Sequence, residues 1–449
     1  MSGTTGSDLQ LAIVGSGIAG CAAADFARQQ FTNIEIDVFE QQSRIGGRIR
    51  ETAFASDTFE TGATAFHDES RYMMKYVDRF NLELANPVKP RQKPTNAPMM
   101  GLSFGIWDGQ RFLAKMSGAL RDRLTILRKY GLSFPRLWWQ SRRVFKQFNS
   151  LYDVLEAGGS FKSPDEMLAR VDLYDTAQQS AMEHLREHAV SQACIHQVLD
   201  PISRTLYGQD ARMSAVVDLY MFKAIASNSW YSIRERNSLL LDHLLDAASA
   251  TIHMETKITA IDANTGSYTL TAAEPPTEYG PYDAVIIATP LEKTDIELNG
   301  GAPPVSSDRE YQSMYINLVN GVLDPTYFEL GAQDDLPDAI STTTDVDESF
   351  TSIVTLVREN GGTNIYHVTA TSIVPNDLFL EVFSSIEDIE RFSWEAYPVY
   401  EPPLLWPPFQ LDHGIYYTNA MESAISSMET EVMGSRNVVN LLSRRLREG

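Results

Sequence analysis

The chain has 449 residues, 43% hydrophobic and 21% charged, enough for two or three cooperating domains with a large buried core. Its 27 Gly and 21 Pro are spread through an ordinary globular composition, which excludes a collagen-like, coiled-coil or wholly disordered chain. A formal net charge of −22 sets a general nucleic-acid binder against its own field, and two cysteines, Cys21 and Cys194, cannot build a disulfide framework. The first ten residues lack the basic stretch and apolar run of a secretory signal, and the longest apolar run, residues 11–24, is too short and too glycine-interrupted to span a bilayer. A cytoplasmic location is the expectation.

The first predicted element is a strand at residues 11–14 (LAIV), a continuous apolar run of the kind buried on both faces. It runs into Gly15-Ser16-Gly17-Ile18-Ala19-Gly20, and the small-residue stretch behind it (CAAADFARQ) favours a helix. Glycines at a strand-to-helix turn have separate uses. Gly15 makes the tight turn, Gly17 admits a pyrophosphate to the backbone, and Gly20 lets helix and strand pack closely, while the helix start offers unpaired N–H groups to phosphate. A second strand at 34–39 (IEIDVF) ends at Glu40, followed by Gln41, where an acid can take the ribose hydroxyls of an adenine dinucleotide. Gly46-Gly47-Arg48 then forms a second glycine turn with a cation beside it, for which a nicotinamide domain has no obvious use. Far downstream, residues 256–261 and 267–272 read as meander strands and 282–289 as a buried strand returning to the parallel sheet.

These segments resemble the large FAD family that includes amine oxidases, phytoene desaturases and prenylcysteine oxidases. The resemblance implies that the acid-to-GGR segment lines a non-covalent FAD and that Glu60-Thr61-Gly62-Ala63, with Thr64, lies beneath the isoalloxazine. It implies that Ile258 touches the adenine and that Thr289 closes the dinucleotide site. At the far end it implies that Glu422 meets the ribityl-phosphate and that a helix opened by Met428 and Glu429 faces the flavin N1/O2 edge.

Outside the nucleotide segments the chain resembles prenylcysteine oxidases in particular, over 60–67 (ETGATAFH), 130–134 (YGLSF), 200–209 (DPISRTLYGQ), 283–291 (DAVIIATPL), 396–403 (AYPVYEPP) and 416–429. That resemblance implies oxidation of the thioether-bearing carbon of a prenylcysteine, with O2 as acceptor, giving aldehyde, thiol and hydrogen peroxide. A carbon flanked by sulfur and an alkene loses hydride to a stabilised cation, so the site needs an apolar prenyl slot and water rather than a strong acid or base. No Ser-His-Asp order or GxSxG elbow supports hydrolysis. His67, just past the presumed flavin segment, is a candidate for substrate contact, and the resemblance nominates Tyr207 and Tyr397 as pocket aromatics. One departure stands out. Members often carry Gly-Gly-Asn where this chain has Glu235-Arg236-Asn237, so two charged side chains stand where backbone alone could approach. That keeps open an oxidase or cyclase of a prenylated or aromatic small molecule, and a flavin-bound lipid- or membrane-interacting protein without turnover.

From Arg111 to Lys146 ten Lys or Arg face a single acid, Asp122, interleaved with Phe134, Trp138, Trp139, Phe145 and Phe148. The 111–148 window is either a surface that settles on anionic lipid or a solvated helix pair with its aromatics in the core. His184, His188, Cys194 and His196 lack the order of a metal motif and are read as helix surface and packing, with no metal assigned. The expected architecture is α/β: a Rossmann-like, doubly wound FAD-binding domain of amine-oxidase type from residues 9–68, 236–300 and 396–449. An α+β substrate domain comes from a helical insertion, 69–235, and a mixed sheet, 301–395, with substrate bound between the two.

Overall fold

The computed structural model describes residues 9–448 apart from 56, 88–101, 117–119, 228, 301–308, 332–334, 345, 347–348 and 357–363, and leaves the side chains of 120–124 and 227 aside. Strand β1 (Leu9–Val14), helix α1 (Ile18–Gln30) and strand β2 (Ile34–Phe39) form the first unit. β1 pairs in parallel with β2 on one side (Leu11 opposite Ile36) and with Ala284–Ile287 on the other (Leu11 opposite Ala284). Thr251–His253 extends the sheet beyond β2, and Ile415–Tyr417 extends it beyond Ala284–Ile287. Five parallel strands from three distant stretches thus make one sheet, and the apolar runs LAIV and AVII are fully buried because both faces are covered.

Helix α1 owes its position to small side chains. Residues Ile18 to Ala27 are buried, with α1 packed against both the C-terminal helix Met428–Glu448 and the helix Leu239–Ala248. Alanines and Cys21 let three backbones approach closely. The expected meander is present as Ile258–Asn264, Ser267–Ala272 and Thr277–Tyr282, joined by Glu297–Asn299.

The second half is a seven-stranded sheet in the order Phe383–Pro398, Tyr311–Leu323, Asn364–Ala370, Ser352–Leu356, Ala339–Thr342, Phe104–Trp107, Phe112–Met116. Its last two strands correct the expectation that the 69–235 insertion is purely helical. Phe104–Trp107 pairs in parallel with Ala339–Thr342 and turns through Asp108-Gly109 into Phe112–Met116. Asp108 Oδ1 accepts from the Gln110 and Arg111 amides, and Gly109 takes φ +87°. The Asp-Gly hairpin signal was there to be read between two short apolar strands. The rest of the insertion is mostly helical, including α2 (Arg71–Phe80), α3 (Leu120–Tyr130) and α4 (Ser133–Asn149), with two short strands, Leu84–Ala85 and Trp230–Ile233, paired to each other. Its apolar residues join the core around the parallel sheet, so the two share one interior.

The basic window divides in a way its sequence did not show. Phe145 and Phe148 are buried and Phe134 and Trp138 pack against the core, so four of the five aromatics belong to the interior. Trp139 alone is 60% exposed, on a face of α4 that also presents Arg136, Arg143 and Lys146 and continues to Leu132, 65% exposed. Among the described residues no helix is long and apolar enough to cross a membrane, and no three metal-ligating side chains converge. His184 lies between Gln179 and Gln140, and His196 pairs with Asp200 at 2.7 Å.

Candidate active site

A cavity of about 650 Å³, within the usual range for small-molecule sites, runs from the β1–α1 turn to the inner face of the seven-stranded sheet. At one end backbone dominates. Gly15 holds φ +106° with Phe39 carbonyl accepting its amide, and a Cβ there would lie 2.6 Å from the Ala288 carbonyl oxygen. A Cβ on Gly20 would lie 1.9 Å from the Gly15 carbonyl oxygen, so helix and turn touch with no room between. Gly17 differs from both. The nearest atom to a Cβ there is Gly46 oxygen at 3.9 Å, and its open side faces the cavity.

As N-cap of α1, Gly17 offers no side chain, and no acid occupies the first turn. The unpaired amides and positive dipole end therefore suit an anionic phosphate. Glu40, at the end of β2, accepts from the Ser16 amide at 3.1 Å and the Gln42 amide at 2.8 Å while lining the cavity. Two glycine turns bracket the space: Gly17 and Gly46 form a bridge, and Gly46 and Gly47 both have positive φ.

Of the residues expected at a cofactor, Gly15, Ser16, Gly17, Ile18, Ala19, Glu40, Gln41, Gly46, Gly47, Arg48, Gly62, Ala63, Thr64, Ile258, Thr289, Met428 and Glu429 line this cavity, whereas Gly20 and Glu422 do not. Gly20 stands behind the turn as packing. Glu422 is fully buried beneath Arg48, whose guanidinium it binds, and it also accepts from the Tyr311 hydroxyl. Its carboxylate holds the cation that lines the cavity instead of facing the cavity itself. Glu429 lines the cavity and is also engaged behind it. Its oxygens accept the amides of Tyr72 and Met73 at 2.8 and 2.9 Å and the Tyr152 hydroxyl at 2.6 Å, so this acid caps α2 across the core.

The other end is apolar and aromatic. His67, Tyr207 and Tyr397 meet there, with Phe66, Tyr220, Met221, Trp230 and Trp394. Strand Phe66–His67 is positioned by pairing with Trp230–Ile233, and the His67 ring sits 5.5 Å from Trp230 and 5.8 Å from Phe145. Burial, with Lys223 nearby, lowers its pKa to about 3, so the imidazole is neutral. Tyr207 donates its hydroxyl to the Ser426 carbonyl at 2.9 Å and meets Tyr397 edge to face at 4.6 Å. Burial holds the Tyr207 phenol far above its ordinary value and pushes Tyr397 to about 12, so both present neutral rings.

Sequence reasoning missed several lining groups. His367, half-buried and lowered to about 4 by desolvation, comes from the mixed sheet, and Glu431, buried, comes from the C-terminal helix. Glu60, named earlier only as part of a segment, has one buried oxygen without a partner among the described residues, and burial pushes its pKa up to about 7. No local pattern marks such residues, because elements far apart in the chain bring them together. The Glu235-Arg236 departure is half as large as it looked. Glu235 lines the cavity, but Arg236 turns away to Asp242 at 2.8 Å. Asn237 ties the flanking turn to the glycine segment through donations to the carbonyls of Ala63 and Thr64.

A parallel sheet with a glycine-rich phosphate turn, sharing one cavity with an aromatic chamber under a second sheet, is the architecture of flavin-dependent oxidoreductases of the amine-oxidase type. Putrescine oxidase with putrescine bound matches 97% of this chain and 100% of its own at TM-score 0.63 and 12% identity. Cyclohexylamine oxidase from Brevibacterium oxydans matches 98% and 100% at TM-score 0.63 and 15% identity. These likenesses are of fold. Residues 13–80 match a family model described as an NAD(P)-binding Rossmann-like domain, and residues 115–449 match one described as prenylcysteine lyase. The chain therefore belongs to the prenylcysteine lyase family. Farnesylcysteine lyase of Arabidopsis thaliana is 30% identical over 96% of this chain and 88% of its own, and the Bos taurus prenylcysteine oxidase 1-like protein is 28% identical over 97% and 90%.

Proposed function

We propose that the protein is an FAD-dependent oxidase that takes hydride from the allylic thioether carbon of a prenylcysteine and releases a prenyl aldehyde, cysteine and hydrogen peroxide. The observation that carries this is the single cavity joining a phosphate-binding turn to an aromatic chamber whose titratable residues His67, His367, Tyr207 and Tyr397 are neutral. Such a chamber suits an apolar chain and a reaction with no demand for a charged acid or base. The donor set fits FAD: Ile18 and Ala19 amides for the pyrophosphate, Glu40 for ribose hydroxyls, Arg48 and the start of the C-terminal helix for the far end. When bound, FAD supplies acceptance of the hydride and transfer of its two electrons to O2.

The chain's own residues orient and exclude. Tyr207 and Tyr397 wall the prenyl chain and keep bulk water from the developing cation, which one water then attacks, giving a hemithioacetal that collapses to aldehyde and thiol. Each turnover consumes one O2 and one water and leaves one H2O2. Anaerobic mixing of the flavin-loaded protein with farnesylcysteine, followed by air, tests the reading. Bleaching of the flavin band and stoichiometric peroxide on reoxidation are expected. A yellow protein that no prenylcysteine bleaches overturns this substrate, and leaves the oxidase of another prenylated or aromatic molecule. The exposed Leu132-Arg136-Trp139-Arg143-Lys146 face favours a second, compatible reading: docking on an anionic lipid surface from which an apolar substrate enters.

A further inference from the structure

One carboxyl inside the cavity is left out of every pair around it. Glu431 stands one turn into the C-terminal helix, 4% exposed and lining the cavity, and neither of its oxygens has a hydrogen-bond partner among the described residues. Its charged neighbours are already committed. Arg48, from the loop after β2, is bound by Glu422, and Arg309, ahead of the strand Tyr311–Leu323, is bound by Glu292 and lies 3.6 Å from Glu422. Two cations thus serve two carboxylates, and the third acid has none.

An ionised Glu431 would be a buried anion without a donor, which is far more costly than a neutral acid. Burial and the negative charge of Glu422 raise its pKa, against the pull of Arg48 and Arg309. Tyr400 faces the same cluster from the segment after Pro398, and Glu429 on its own helix is turned to α2. A neutral carboxylic acid has a proton to give, and no protein acceptor takes it.

We propose that Glu431 is a cofactor-binding residue of this chain: held protonated, it donates a hydrogen bond to the flavin dinucleotide in the cavity and makes cofactor affinity depend on its own protonation. The inference rests on the flavin reading given above. Ionisation replaces the donor by a second buried negative charge beside an anionic ligand, so affinity is full at low pH and lost as pH rises.

The test is the equilibrium affinity of the full-length chain for FAD, read from flavin fluorescence between about pH 6 and pH 10. Wild type is expected to hold a constant Kd at the acid end and then weaken, approaching about tenfold per pH unit. Glu431→Gln keeps an N–H donor and removes this titration, so its Kd lacks the alkaline weakening of wild type, while whatever Glu60 adds near neutral pH is common to both. Glu431→Ala weakens binding at every pH. An infrared band of a protonated carboxyl, present in wild type and absent from Glu431→Gln, reads the same proton without cofactor or turnover. Tight FAD binding with a flat wild-type profile, or the same loss of affinity in Glu431→Gln, overturns the proposal alone. Absence of FAD binding at any pH overturns the flavin reading beneath it.

Discussion

The two ends of the cavity are built from different materials. At the nucleotide end the ligand-facing surface is backbone: amides at the start of α1, two glycine turns, and one acid at the end of β2, all within about forty residues of sequence. At the aromatic end it is side chain, contributed by Phe66–His67, the helix Asp200–Tyr207, the helix Ala215–Ser227 and the long strand Phe383–Pro398. Backbone recognition needs specific absences of side chain, and those are fragile in kind. Aromatic walls are redundant, so single changes there should be graded.

The largest expected effect therefore lies at the glycines, and two of them, Gly17 and Gly20, separate binding from folding. Gly17→Val should give a folded protein that holds no flavin, because its Cβ meets nothing closer than 3.9 Å while its methyls enter the phosphate space. Gly20→Val should fail to fold, because its Cβ would lie 1.9 Å from the Gly15 carbonyl oxygen. Circular dichroism with flavin absorbance distinguishes them. A yellow Gly17→Val protein with stoichiometric FAD would break the assignment of this end of the cavity.

A smaller effect is expected where rings do the walling. Tyr207→Phe removes one buried donation to the Ser426 carbonyl but keeps the ring against Tyr397 and the cavity. It should lower stability by about 1 kcal/mol, read as a modest fall in Tm, and leave the pH dependence of kcat/KM unchanged because the phenol is already neutral across the working range. A drop of several orders of magnitude in kcat with KM unchanged would instead make the Tyr207 hydroxyl a participant in the chemistry.

The same contrast explains what the sequence disclosed. β1, α1 and β2 were legible to within two or three residues, since apolar runs, small-residue helices and glycine turns are local signals whose meaning survives without the rest of the chain. Glu422 and Glu429 lie in the segment the resemblance assigns to the flavin, but which groups their carboxylates hold is not legible in the sequence. Sequence position put them at the flavin segment, and only packing shows one beneath Arg48 and the other capping α2. His367 and Glu431 carried no local mark at all. Their significance arises from desolvation and from the pairs their neighbours form, and both are properties of the assembled fold. The hairpin Phe104–Trp107 and Phe112–Met116 carries only one local signal, its Asp-Gly turn, and its place in the sheet depends on pairing with the distant strand Ala339–Thr342.

The smallest effect on the chemistry, and the sharpest on where the chemistry happens, is expected outside both ends. Trp139 is the one aromatic of the basic window that does not serve the core, and Arg136, Arg143 and Lys146 share its face of α4. A chain with formal charge −22 is repelled by an anionic bilayer except where such a patch meets it, so binding should be local, orienting and strongly weakened by salt. Trp139→Ala should leave flavin content, Tm and turnover of short, water-soluble substrates unchanged, because an exposed ring on a helix surface holds nothing together. It should reduce sedimentation with anionic vesicles by about fivefold, through the lost burial of one ring in the interface. Equal sedimentation of wild type and Trp139→Ala, or binding indifferent to vesicle charge, would assign this face to solvent and leave the aromatic chamber to collect its substrate from solution.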